Sequence, residues 1–123
     1  MSLSSRAVDT EELAQLAKDL VDRNDWLVSD DDKLTPSQLF RAVQLAAGAD
    51  GRSRVAQLAQ HQVRRSTMKP IYERFWRLLR EIALGVHPIV RDHCDEREVL
   101  TDHEFRRVLE FLVTEVLYRK VTR

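Results

Sequence analysis

With 123 residues, 20 basic and 20 acidic side chains and a single cysteine, the chain is the size of one domain, large enough to hide about 65% of its unfolded surface. The lone Cys94 excludes an internally disulfide-stapled scaffold, three glycines and three prolines are too few for a many-turned β-sandwich, and no uncharged run approaches the roughly 18 residues of a membrane span. The first residues, MSLSSRAVDTEEL, lack the apolar core of a signal peptide. The chain therefore reads as cytoplasmic, soluble and all-α, with residues 1–123 forming a single compact bundle of about five helices.

The first periodic segment places Leu13, Leu16, Ala17, Leu20 and Val21 on one stripe, the pattern of a surface helix. Asp9 or Thr10 can cap it, Glu11 and Glu12 suit the positive end of its dipole, and it should end near Arg23. The following NDWLVSDDDK reads as a solvated acidic loop, with Trp26, Leu27 and Val28 tucked back onto the core. A second helix opens at LTPSQLF: Thr35 caps, Pro36 takes the first helical position, Gln38 completes a capping box, and Leu34 with Leu39 forms a hydrophobic staple. Leu39, Phe40, Val43 and Ala47 are expected to face inward, Gly48 to end the helix in a left-handed cap, and Asp50 with Gly51 to turn the chain.

A third helix is predicted from about Ser53 to Arg65, with Val55, Leu58, Ala59 and Val63 inward. A fourth follows Ser66 and Thr67 with Pro70 in its first turn. Ile71, Phe75, Leu78 and Ile82 share its inner sector, widened by Tyr72, Trp76, Leu79 and Ala83, while Arg74, Arg77 and Arg80 lie on the opposite arc. Gly85 and Pro88 stop it. RDHCDERE holds a short helix or none. The last helix opens at LTDHEF with the same chemistry as the second: Thr101 caps, Glu104 completes the box, and Leu100 and Phe105 form the staple. Phe105, Val108, Leu109, Leu112 and Val116 continue inward, and Phe111, Val113 and Leu117 make this helix apolar on more than one side, central to the bundle or part of an interface. The likeness of LTPSQLFR and LTDHEFRR reflects shared helix-start chemistry rather than a repeat.

A formal net charge of zero argues against an avid free-standing nucleic-acid binder, but the charges are unevenly spread. Residues 1–33 carry a net of −5, residues 81–104 another −5, and residues 105–123 a net of +3. Residues 52–80 hold Arg52, Arg54, Arg64, Arg65, Lys69, Arg74, Arg77 and Arg80 against Glu73 alone, a net of +7. Pairing within the helices cannot neutralise that block. Seven of these eight cations are arginines, whose planar fork matches phosphate oxygens and stacks on bases. The eight are the candidate nucleic-acid-binding residues. Arg80 lies beside Trp76 and Tyr72 on the helical wheel, a stacking surface at the edge of the basic face. The bland alternative is a solvated face paired with the acidic N-terminal loop.

Nothing in the chain reads as a catalytic or metal centre. His87, His93, Cys94 and His103, with Asp92 and Asp95, form the single ligand-like cluster, but His93 and Cys94 are adjacent and lack a second ligand pair. No third group orients a Cys–His nucleophile. The paired carboxylates Glu11–Glu12, Asp30 to Asp32 and Asp95–Glu96 sit in loops or helix starts. Gly48 and Gly51 lack the Lys-Ser/Thr of a phosphate loop. A helix-turn-helix anchored on Gly48 puts Arg54 and Gln57 where its recognition helix needs apolar packing. The aromatic stripe of Phe75, Trp76, Phe105, Phe111 and Tyr118 reads as core, and no cofactor is expected.

The opening LTPSQLFR and the closing helix FRRVLEFLVTEVLYRK, with Tyr118, Arg119 and Lys120 near its end, together with the size of the chain, resemble the small all-helical subunit of type III CRISPR–Cas RNA-guided effector complexes. The likeness covers about a third of the chain. The family's mid-chain aromatic-x-x-Gly-Arg stretch is replaced here by QVRRSTMKPIYERF, without the glycine, so only the basic character of Arg64, Arg65 and Lys69 carries over. The resemblance implies a non-catalytic subunit of antiviral defense. Copies would stack along a helical assembly beside other protein subunits, holding the RNA backbone of a guide–target duplex while base pairing supplies sequence choice. The competing reading is a helical protein-interaction adaptor or regulator that docks its partner through the last helix around Phe111 and Val113, with no nucleic-acid role.

Overall fold

The computed structural model describes residues 10–28, 34–63, 70–94 and 100–122. Among them six α-helices follow in chain order: α1 (Thr10–Arg23), α2 (Pro36–Ala46), α3 (Gly51–Val63), α4 (Pro70–Leu84), α5 (Pro88–Cys94) and α6 (Asp102–Thr122), with a 3-10 turn at Asp25–Val28 between α1 and α2. The described residues hold no strand, and the fold is an all-α bundle. No helix among them is long and apolar enough to cross a membrane.

The centre of the bundle is α6. It packs against α1, α2, α3 and the 3-10 turn, while α3 and α4 form a close pair. Trp76, Phe75 and Phe105 are the largest fully buried side chains. The stripe of α1 is buried as expected, and so are Phe75, Trp76, Leu78, Leu79, Ile82 and Ala83 of α4. On α6 the buried set runs Glu104, Phe105, Val108, Leu109, Leu112, Val113 and Val116, which is why that helix has little polar face to spare. Val113 is thus core, closed to the docking role expected of it, and Phe111 is half-buried with the Arg107 guanidinium 4.7 Å over its ring.

Both helix-start signals take the expected form. The Gln38 N–H donates to Thr35 Oγ1 at 3.2 Å while the Thr35 N–H donates to Gln38 Oε1 at 3.0 Å. The Glu104 N–H donates to Thr101 Oγ1 at 3.1 Å and the Thr101 N–H to Glu104 Oε1 at 2.9 Å. Each box satisfies two donors that a helix start leaves unpaired. At the other end of α4, Gly85 (φ 73°) closes a Schellman turn, its N–H reaching the Ile82 carbonyl and that of Val86 the Glu81 carbonyl, both at 3.1 Å.

Four expectations are corrected. Phe40 faces solvent, 49% exposed, because the inner row of α2 is Leu39, Ala42 and Ala46, a spacing of three and four that leaves Phe40 more than a quarter of a turn to the side. Ala47 is the half-buried C-cap of α2 in extended backbone rather than part of its inner row, while Gly48 directly after it takes the positive φ, 102°, expected of it. Gly51 starts α3, two residues early, where a Cβ would collide with the Ala46 carbonyl; the close approach of α2 to α3 requires glycine there. Tyr118, assigned to the core stripe, is 65% exposed near the end of α6. The Asp9 cap, the inward Val63 side chain, Asp30 to Asp32 and Asp95 lie outside the described residues.

Candidate nucleic-acid interface

The outer arc of α4 borders a groove. Phe75, Leu78, Leu79 and Ile82 must face the core, so the helical period turns Arg74, Arg77 and Arg80 outward, and all three are exposed. They border a groove of about 580 Å³ whose other walls are Asn24 and Trp26, just beyond α1, and Gln60 of α3, with Leu78 and Glu81 of α4 also lining it. Among the described residues the lining sets three arginines against one glutamate.

Trp26 is held in place locally. The Asn24 side-chain amide donates to the Leu20 carbonyl at 2.8 Å, extending the end of α1, and the Trp26 indole N–H donates to Asn24 Oδ1 at 3.2 Å. The Arg74 guanidinium lies 4.7 Å from the centroid of that indole ring, a cation–π contact that fixes a flat, charged group at the groove wall. Arg77 donates to Glu73 Oε1 at 2.8 Å, but its side chain is 64% exposed, so the pair is a weak, solvent-screened one that a phosphate can replace. Arg80 makes no hydrogen bond or ion pair among the described residues.

The eight candidate cations separate. Arg74, Arg77 and Arg80 share the groove. Arg54 lies exposed beside Gly48 and donates to the Ala47 carbonyl at 3.1 Å. Arg52 turns into the fold: its Nε donates to the Ala83 carbonyl at 3.0 Å, its Nη1 to the Leu100 carbonyl at 2.7 Å, and its backbone N–H to Asp102 Oδ1 at 2.9 Å. It pins together the end of α4 and the starts of α3 and α6, so it does not belong to the outer face. Arg64, Arg65 and Lys69 lie outside the described residues. The aromatic partner also differs from expectation. Trp76 is fully buried, its ring set edge-on to Tyr72 with centroids 5.8 Å apart. Trp26 is the aromatic at the basic face, and Arg74 rather than Arg80 lies over it. Asn24 and Gln60 carried no sequence signal of their own.

Two of the histidines in the ligand-like cluster, His87 and His93, serve the fold. Buried His87 caps α5, its Nδ1 accepting the Ile89 N–H at 3.1 Å; burial pushes its pKa below the ordinary 6.5, with Glu81 opposing and Arg23 assisting. His93 Nε2 lies 2.8 Å from Asp19 Oδ2, tying α5 to α1. That hydrogen bond, with a second from Gln15, holds the Asp19 carboxyl below its usual 3.8. Cys94 is buried. Among the described residues no three His, Cys, Asp or Glu side chains gather into a ligand set. Comparison of the chain with protein-family models, with curated proteins and with solved structures finds no match.

Proposed function

We propose that the chain is a non-catalytic, cytoplasmic, RNA-contacting subunit of a larger RNA-guided effector complex of the CRISPR type. What supports this reading is the groove in which Arg74, Arg77 and Arg80 meet Trp26, a row of guanidinium groups spaced along one helix face with, among the described residues, Glu73 and Glu81 to offset them. Arginine forks hold phosphate oxygens without regard to sequence. A subunit with no net charge would bind RNA through this one face and leave its acidic segments for basic protein neighbours, further copies of itself among them. The test replaces Arg74, Arg77 and Arg80 together by Ala and measures RNA binding at two salt concentrations. The expected result is weaker binding to unrelated RNA sequences alike and a salt slope shallower by about 2, from three fewer phosphate contacts on a single strand. Unchanged affinity and unchanged slope would sink the proposal.

A second reading, the protein-interaction adaptor, has its own observation: Tyr118 and Val121, 65% and 83% exposed, put two large apolar side chains at the solvent end of α6. It expects a protein to co-purify without nucleic acid, and a charge introduced by Tyr118→Glu with Val121→Glu to release it while the arginine replacements do nothing.

A further inference from the structure

We infer that the α4 groove is a subsite for one unpaired nucleotide of single-stranded RNA, an inference that rests on the RNA reading above and narrows it from a backbone-holding face to a base-accepting one. A face that only tracked phosphates would need cations alone. This one has a flat wall. Trp26 is half-buried and fixed by Asn24, and Arg74 lies over its ring with no hydrogen bond or ion pair among the described residues, so the exposed guanidinium is backed by the indole and turns its own outer face to the groove. A base stacks on such an arginine as readily as on an aromatic ring.

The remaining walls suit the rest of the nucleotide. Asn24 spends one amide hydrogen on Leu20 and accepts from Trp26, which leaves it a further donor and a lone pair. Gln60 is exposed and makes no side-chain hydrogen bond among the described residues, so its amide is free to meet a base edge. Arg77 and Arg80, one and two turns further along α4, stand where the flanking phosphates of a base on Arg74 would run. A volume of about 580 Å³ admits one nucleotide and not a helix. Bases already stacked and paired in a duplex cannot enter.

The experiment titrates the full chain with a twelve-residue oligouridylate and with an abasic RNA of the same length, following tryptophan emission. Of the two tryptophans, Trp76 is fully buried, so a ligand-dependent change reports Trp26. The expected result is quenching by the oligouridylate and about tenfold tighter binding of it than of the abasic strand, a preference that Trp26→Leu abolishes. If both strands bind equally and without quenching, while the triple arginine replacement weakens both, the base subsite is wrong and the RNA reading stands. If neither strand binds, both fall. Should Trp26→Leu not fold, the comparison of the two strands on the unaltered chain decides the matter alone.

Discussion

The junction where α3, α4 and α6 meet and the outer arc of α4 are built from the same residue type in the same basic segment, and they use it oppositely. At the junction Arg52 is surrounded by backbone acceptors: Ala83 in the last turn of α4 and Leu100 just ahead of α6. The Ala83 carbonyl has no partner within its helix and sits at the negative end of its dipole, and the Leu100 carbonyl lies outside any helix, so a guanidinium that meets both is consumed by the fold. Along the arc, Arg74, Arg77 and Arg80 project from mid-helix, where nearby carbonyls are bonded within the helix, and among the described carboxylates Glu73 alone pairs with one of them. Arginine near helix ends becomes architecture; arginine on the flank of a helix stays available. The number of cations in a segment therefore says less about binding than where they fall relative to helix termini.

The sharpest way to break this comparison is Arg52→Ala. It removes two hydrogen bonds from a charged donor and leaves two part-buried carbonyls unmet, at a cost of about 3 kcal/mol. A urea unfolding midpoint measures it. A loss below about 1 kcal/mol would mean that water replaces the guanidinium easily, and the distinction between the two regions would fail. Arg119→Ala should cost less, about 1 kcal/mol. That side chain links α6 to α1 through Asp22 at 2.7 Å and to its own helix through Glu115 at 2.9 Å, contacts that raise its pKa. Its partners are carboxylates at a partly exposed seam rather than orphaned carbonyls, and the same midpoint measurement ranks it below Arg52.

What the chain discloses in advance divides along the same line. The boxes at Thr35–Gln38 and Thr101–Glu104 were legible because donor and acceptor lie three residues apart, and the stripes of α1, α4 and α6 because burial repeats with the helical turn. The fate of Arg52 was not, since its acceptors are 31 and 48 residues away and meet it only after packing. The groove was half legible: the wheel turned three arginines outward, but nothing local to α4 says that Trp26, from the 3-10 turn beyond α1, closes over Arg74. Phe40 shows the limit of the stripe itself, since the small residues Ala42 and Ala46 hold the inner row where helices approach closely, and size alone favours the phenylalanine.

His87 sharpens the comparison with a titratable group at another helix end. Its Nδ1 must be unprotonated to accept the Ile89 N–H, and its pKa in the folded chain is lowered, chiefly by burial. Below pH 6.5 the unfolded chain takes up a proton that the folded one resists, so stability is full above that pH and falls as the solution is acidified through it. His87→Asn keeps an acceptor for capping α5 but does not titrate. Unfolding midpoints between pH 7.5 and 5.5 should therefore fall more steeply for the natural chain than for the variant; parallel curves would show that the cap is not what His87 supplies.

The smallest effect is the most telling for function. Replacing Arg74, Arg77 and Arg80 together by Ala removes one exposed cation–π contact, worth about 0.5–1 kcal/mol, and one exposed i,i+4 pair, worth about 0.3–0.5 kcal/mol. Against that, alanine is the better helix former, and three like charges no longer crowd neighbouring turns of α4. The net change in unfolding free energy should be within about 1 kcal/mol, read as nearly superimposed urea curves. If the variant instead unfolds as readily as Arg52→Ala, the arc is architecture too, and weakened RNA binding would say nothing about contact. If stability holds while RNA affinity drops, the three side chains do little for the fold that carries them, and the reason for their placement lies outside the molecule, in the polyanion they face.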